Sequence, residues 1–181
     1  MTLSPYPESL IDYLAEYFGS RDFFECHEIM EEHWKRDGES PLARCWLALI
    51  RIAVMQYHAR RGNQAGAYKL LVKTAEEFEP EWMGMMGLDG TRLADMLRER
   101  REKWTAPDRA VYEEFELPIA DPELLRLARQ ACEERGWSWR TPLHAVPDEV
   151  VHRHHLRDRR EVIASREKAA EAKSAQRQSK D

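Results

Sequence analysis

The amino-acid sequence predicts an all-α protein, a compact bundle of about five helices followed by a long charged C-terminal helix. Three observations carry that expectation. Apolar residues recur three and four positions apart in one segment after another, the spacing that lines up side chains on one face of a helix. These segments open on or just after Asp, Asn, Ser or Pro, and several close on Gly, the residues that start and stop helices. No run alternates apolar and polar residues strongly enough to form a strand.

The elements follow in order. Pro5 and Pro7 precede an amphipathic stretch, Glu8 to Phe18, with Leu10, Ile11, Leu14, Tyr17 and Phe18 on one face; Gly19 and Ser20 break it. Asp22 is the expected N-cap of a second helix, Phe23 to Arg36. After the loop Asp37 to Ser40, the pair Ser40-Pro41 opens a third helix, Pro41 to Arg61. Between Cys45 and Met55 only Arg51 is charged, so this helix is expected at the centre of the core. Gly62 stops it and Asn63 caps a fourth helix, Gln64 to Phe78. Glu79 to Gly90 reads as an irregular segment whose Trp82, Met83, Met85, Met86 and Leu88 lie against the core. A fifth helix runs from Arg92 to Lys103.

Residues 105–146 read as a wrapping segment with one helix, starting at Asp121-Pro122 and ending at Gly136. Residues 147–181 read as a basic helix, from Val150 to at least Ala172, with a frayed polar tail. The expected domain is therefore residues 8–104, with two extensions.

Composition narrows the function classes. The chain has 181 residues, 43% hydrophobic and 34% charged, enough for one domain with an extension and much wetted surface. No apolar run reaches the ~18 residues of a membrane span, and Met1 to Leu10 lacks the pattern of a signal peptide. The cysteines Cys26, Cys45 and Cys132 are odd in number, which disfavours a disulfide framework. A cytoplasmic protein with no membrane association is expected. The net charge of −5 disfavours nucleic-acid binding over the whole surface. The charge is polarised, however. Residues 1–40 hold ten acids and three bases, a net of −7, whereas residues 152–181 hold nine bases and five acids, a net of +4.

The segment Phe24 to Trp34 concentrates the chemistry. His27 and Glu31 stand one helical turn apart and share a face, Trp34 joins them one turn later, and Glu28 and Glu32 form the adjacent stripe. An imidazole and a carboxylate so spaced can ligate one divalent metal ion or act as a base and its orienter. They can equally form a structural hydrogen-bonded clamp capped by Trp34. The zinc motif His-Glu-x-x-His is not present, since its fifth position is Glu31. The di-iron spacing Glu-x-x-His is met only by Glu149 and His152. His58 follows Arg51 by two turns and shares its face. Arg51, set in so apolar a helix, needs an acidic partner, for which the acids of the second helix are the candidates. His152, His154 and His155 sit among arginines, a poor place for a cation.

The pattern His27-x-x-x-Glu31-x-x-Trp34, preceded by Phe24-Glu25, resembles the signature of the DUF309 domain. The apolar helix ending in Tyr57-His58, the turn Arg61-Gly62-Asn63-x-x-Gly66-Ala67, and Met86-Gly87-Leu88-Asp89 before a helix also match. The resemblance covers roughly residues 13–104, and the remainder is similar to an extension of some longer members. It implies an all-helical bundle of uncharacterised function, so no catalytic role is carried over from it. Only His27, Glu31 and Trp34 are carried over as motif residues.

The reading preferred on the sequence is a non-enzymatic interaction or scaffolding protein with a His27–Glu31–Trp34 clamp. The alternative is a protein binding a divalent metal or small ligand, a hydrolase among the candidates, through His27, Glu31 and either Glu28 or His58. The stripe Val150, Val151, Leu156, Val162 and Ile163 suggests a homodimer seam on the C-terminal helix. The same helix reads first as a solvated helix whose mixed charges keep it soluble, with contact to an acidic protein or a nucleic acid as the alternative.

Overall fold

The structure, a computed structural model, describes residues 4–153 and positions 164, 167, 168, 170–172 and 175. It is all-α. The elements are α1 (Glu8–Ala15), a π-helical turn (Glu16–Ser20), α2 (Phe23–Arg36), α3 (Ala43–Arg60), α4 (Gln64–Glu77), α5 (Pro80–Met85), α6 (Gly90–Lys103), α7 (Pro122–Glu134) and α8 (Asp148–Val151). Two short 3-10 turns, Pro107–Arg109 and Leu143–Ala145, lie between them. The β pairing among the described residues is a single antiparallel bridge, Leu88 to Ile119.

Side-chain caps explain where the helices begin. Asp22 accepts from the backbone N–H of Glu25 at 3.0 Å, Asn63 from Gly66 at 3.1 Å and Asp89 from Arg92 at 2.9 Å. Asp121 accepts from both Glu123 and Leu124, at 2.7 and 3.0 Å. Each cap satisfies donors that the first helical turn leaves unpaired. At the far end of α7, Gly136 takes a φ of 73°, and the Trp137 N–H returns to the Cys132 carbonyl at 3.0 Å.

Several boundaries differ from the sequence expectation, among them that of α3, which opens at Ala43 with Leu42 as N-cap and not at Ser40-Pro41. The first helix does not break at Gly19-Ser20, since both belong to the π-helical turn, and the chain reverses at Arg21, whose φ is 58°. Gly19 is required by close packing instead: a Cβ there would stand 2.4 Å from Cys132 Sγ and 2.9 Å from Trp137 Cε3. The buried Arg21 is held in its left-handed conformation by Glu114, by the Thr141 carbonyl at 3.0 Å and by the Tyr17 carbonyl at 3.3 Å. The segment expected to be irregular contains α5, because Pro80 stands where a helix tolerates proline, in the first turn. The fifth expected helix, α6, begins two residues early, at Gly90, where a Cβ would meet the Pro80 carbonyl oxygen at 1.9 Å.

The core is organised on α3, with Trp46, Leu49, Ile52, Ala53, Met55 and Tyr57 buried. Helices α2 and α4 flank α3, and α1 packs on α2 and α7. Arg51 finds its partner on α4, not on α2: its Nη1 is 2.6 Å from Glu77 Oε2. The tight turn at Gly62 folds α4 back along α3 and brings the last turn of α4 beside the middle of α3.

The segment after α6 is extended yet joins the same core through Trp104, Ala110, Phe115 and Leu117. An extended chain must find partners for its backbone groups, and side chains supply them. Gln56 donates to the Glu113 carbonyl at 3.2 Å, Arg100 to that of Glu114 at 2.9 Å, and the Tyr17 hydroxyl to that of Phe115 at 2.5 Å. α8 spans only Asp148–Val151 and ends in a turn at His152, so it shares two residues with the helix expected from Val150; Arg153 Nε meets Asp22 Oδ2 at 2.5 Å. His154, His155, Leu156, Val162 and Ile163 lie outside the described residues.

Candidate functional site

The N-cap at Asp22 sets the register of α2 and therefore the face on which its later side chains emerge. His27 and Glu31 project together, with Nε2 3.3 Å from Glu31 Oε2. Glu28, expected on the neighbouring stripe, reaches the other ring nitrogen: its Oε1 is 3.3 Å from His27 Nδ1. From His27, Glu31 stands about 40° and Glu28 about 100° round the helix axis on the same side, and their side chains are long enough to reach different nitrogens of the ring. Glu31 also pairs with Lys35 at 3.1 Å.

The site is open to solvent. The side chains of His27, Glu28 and Glu31 are 23%, 44% and 34% exposed. The Phe24 ring flanks the imidazole at 5.7 Å between centroids and touches Tyr57 of α3 at 5.9 Å. Despite the two nearby carboxylates, His27 forms no hydrogen bond of good geometry, and its Nδ1 is shielded from water without a hydrogen-bond partner. Candidate ligand atoms of His27, Glu28 and Glu31 all lie within 4.8 Å of one another.

The other sequence candidates fall elsewhere. Trp34 is half-buried and packs against the core. His58 turns its Nδ1 toward Asn63 Nδ2 at 3.0 Å, tying the end of α3 to the cap of α4, and it is not part of the three-residue cluster. His152 is exposed at the end of α8.

Several polar groups escaped the sequence reading. Glu16, in the π-helical turn, is pushed up to about 7, chiefly by burial, with Asp22 and Glu25 adding to the rise and a Ser20 hydrogen bond and Arg135 opposing it. Arg60 lays its guanidinium 4.5 Å over the Phe23 ring and donates to the Arg21 carbonyl at 2.7 Å. Burial lowers its pKa and that of Arg100. Ser9 and His33 meet between α1 and α2 at 3.0 Å. An isolated charge in an apolar stretch was a usable signal for Glu16. Nothing in the sequence connects Ser9 with a residue 24 positions away.

Residues 11–70 match a family described as "Domain of unknown function (DUF309)". That span contains the His27–Glu31 face, Trp34 and His58, and is shorter than the resemblance read from the sequence. Over 174 residues the chain is 36% identical to the uncharacterised protein YpuF of Bacillus subtilis (strain 168), covering 95% of this chain and 99% of YpuF. The similarity thus continues through the segments beyond residue 104. No solved structure matches the chain.

Proposed function

The chain belongs to the DUF309 family, whose description assigns no reaction, and on that premise we propose that it binds a divalent metal ion through His27, Glu28 and Glu31. The observation that carries this reading is the unsatisfied imidazole. His27 is bracketed by two carboxylates at 3.3 Å and hydrogen-bonds to neither. A structural clamp should satisfy its own polar atoms, and His27 Nδ1 is shielded from water without a hydrogen-bond partner. Two ligands of one ion bonded at about 2.1 Å stand roughly 3–3.5 Å apart, which is the spacing of His27 Nε2 and Glu31 Oε2. One imidazole and two carboxylates suit zinc, iron or manganese. The net charge of −7 over residues 1–40 favours a cation there. Solvent reaches all three side chains, so an ion can enter and keep open positions for a small ligand.

The test is elemental analysis of protein purified without chelator, with calorimetric titration of the stripped protein by zinc(II) and manganese(II). About one equivalent is expected, with binding weakened at least tenfold in both His27→Ala and Glu31→Gln. No uptake, or equal uptake by the variants, overturns the reading. In that event a loss of stability in His27→Ala returns the pair to the clamp of an interaction or scaffolding protein.

A further inference from the structure

A cleft of about 390 Å³ lies among α6, α7, the extended chain that follows α6 and the loop after α7. It shares no residue with the His27 cluster. Phe18 and Leu117 in its lining are buried, whereas Arg92 and Arg140 are exposed, so an apolar floor carries a cationic rim. Leu125 and Trp139 extend the apolar wall, and Trp139 stacks on Phe18 with centroids 4.6 Å apart. Backbone bonds hold these walls in place. The Asp89 and Ala120 N–H groups bond the carbonyls of Pro118 and Gly87 at 2.8 and 2.9 Å. The Thr141 N–H reaches the Phe18 carbonyl at 3.1 Å, and the Thr141 carbonyl accepts from Arg21 at 3.0 Å. A preformed, largely apolar cleft of this volume with a few charged groups at its rim suits a small organic molecule.

The charges at the rim select the molecule. Arg92 pairs with Glu99 at 2.8 Å, and Arg140 lies 3.2 Å from Glu116. Arg129 lines the neighbouring groove, which shares Leu125 with the cleft, and stands 5.7 Å from the Trp139 ring. It has no carboxylate or hydrogen-bond partner among the described residues. Two cations are thus offset and one is not, which leaves a single positive charge uncompensated. Donors also remain. No hydrogen bond among the described residues uses the Arg140 guanidinium, not even with Glu116, and its planar fork matches a carboxylate.

Arg140 also holds a backbone conformation that costs energy. Its φ is 60°, where glycine is the favoured residue. Gly62, Gly87 and Gly136 fill the other positive-φ positions among the described residues except Arg21, whose buried side chain is tied to Glu114 and two carbonyls. Arg140 lacks that anchoring: the side chains of its ion pair with Glu116 are 59% and 36% exposed, and such pairs add little to stability. An unfavourable conformation without a compensating contact fits a side chain kept for binding.

We propose that this cleft binds a small amphipathic monocarboxylate, with its apolar body on Phe18, Leu117 and Leu125 and its carboxylate at Arg140, where Arg129 supplies the uncompensated charge. A dianion such as a phosphate monoester is disfavoured, because Glu116 stands at the same rim and repels a second negative charge. No residue of the metal cluster takes part, so this proposal and the metal reading stand or fall separately.

Calorimetric titration of the folded full chain with 2-naphthoate tests it. One equivalent is expected to bind. Naphthalene-2-carboxamide, of the same shape without the charge, should bind ~10-fold more weakly or worse, and 2-naphthyl phosphate should also be weaker. Arg140→Gly removes the guanidinium and suits the backbone. Its Tm should therefore match or exceed that of the wild type while 2-naphthoate binding falls ~10-fold or more. Arg129→Gln, on an exposed face of α7, should weaken binding of the acid and leave that of the amide unchanged. Absence of binding up to ~1 mM 2-naphthoate overturns the proposal. So does an amide or phosphate that binds as tightly as the acid. Undiminished binding of the acid in Arg140→Gly places the probe elsewhere and overturns it too.

Discussion

Replacing Glu16 with glutamine gives a stability change whose sign reverses intuition about losing a charge. The carboxyl titrates near 7 in the fold, against 4.5 for an unperturbed glutamate, mainly because it is desolvated in the π-helical turn. The folded state therefore prefers the protonated form. The contribution is fully present below pH 4.5, is lost as pH rises through 7, and is flat above that. A shift of this size corresponds to at most ~3.4 kcal/mol at about 1.4 kcal/mol per unit. Partial exposure of the group screens part of it, leaving roughly 1–2 kcal/mol. Glutamine can still accept from Ser20 and carries no charge to desolvate. Glu16→Gln should thus match the wild type near pH 4.5 and exceed it by about 1–2 kcal/mol at pH 8, a rise in Tm of roughly 3–8 °C. The assay is urea unfolding of both proteins between pH 4.5 and 8. The difference between them isolates this residue from other titrating groups. A difference that does not vary with pH, or that favours glutamate at pH 8, refutes the reasoning.

Further outcomes follow from the packing. Gly19→Ala places a methyl group 2.4 Å from Cys132 Sγ and should cost about 1–3 kcal/mol. Adding Cys132→Ala should recover part of that in a double-mutant cycle read by chemical denaturation, despite leaving the Trp137 contact. Asp121→Ala removes two N-cap hydrogen bonds from α7 and should cost ~1 kcal/mol by the same measurement.

Much of the fold was legible because local signals are strong along this chain. Asp22, Asn63 and Asp121 are N-caps by residue type and remain so in three dimensions. The Phe23–Arg36 helix is where the periodicity puts it, so the convergence of His27 and Glu31 follows from a single turn of α2. The errors have a common origin in contacts distant along the chain. Gly19 reads as a breaker, yet it is a point of contact with Cys132 and Trp137. Arg51 reads as a partner of α2, yet it meets Glu77. Glu28, by contrast, sits on the adjacent stripe as the spacing has it, and side-chain length lets it reach His27, its neighbour in the chain.

Helix type, helix order and the spacing of the His27 motif are determined by the sequence alone, because capping and apolar periodicity act within a few residues. The exposure of that motif, the unmet hydrogen bond of His27, the raised titration of Glu16 and the meeting of Ser9 with His33 are decided by tertiary structure. Desolvation and side-chain pairing depend on which helices pack together, and pairs 24 and more positions apart leave no periodic trace in the chain.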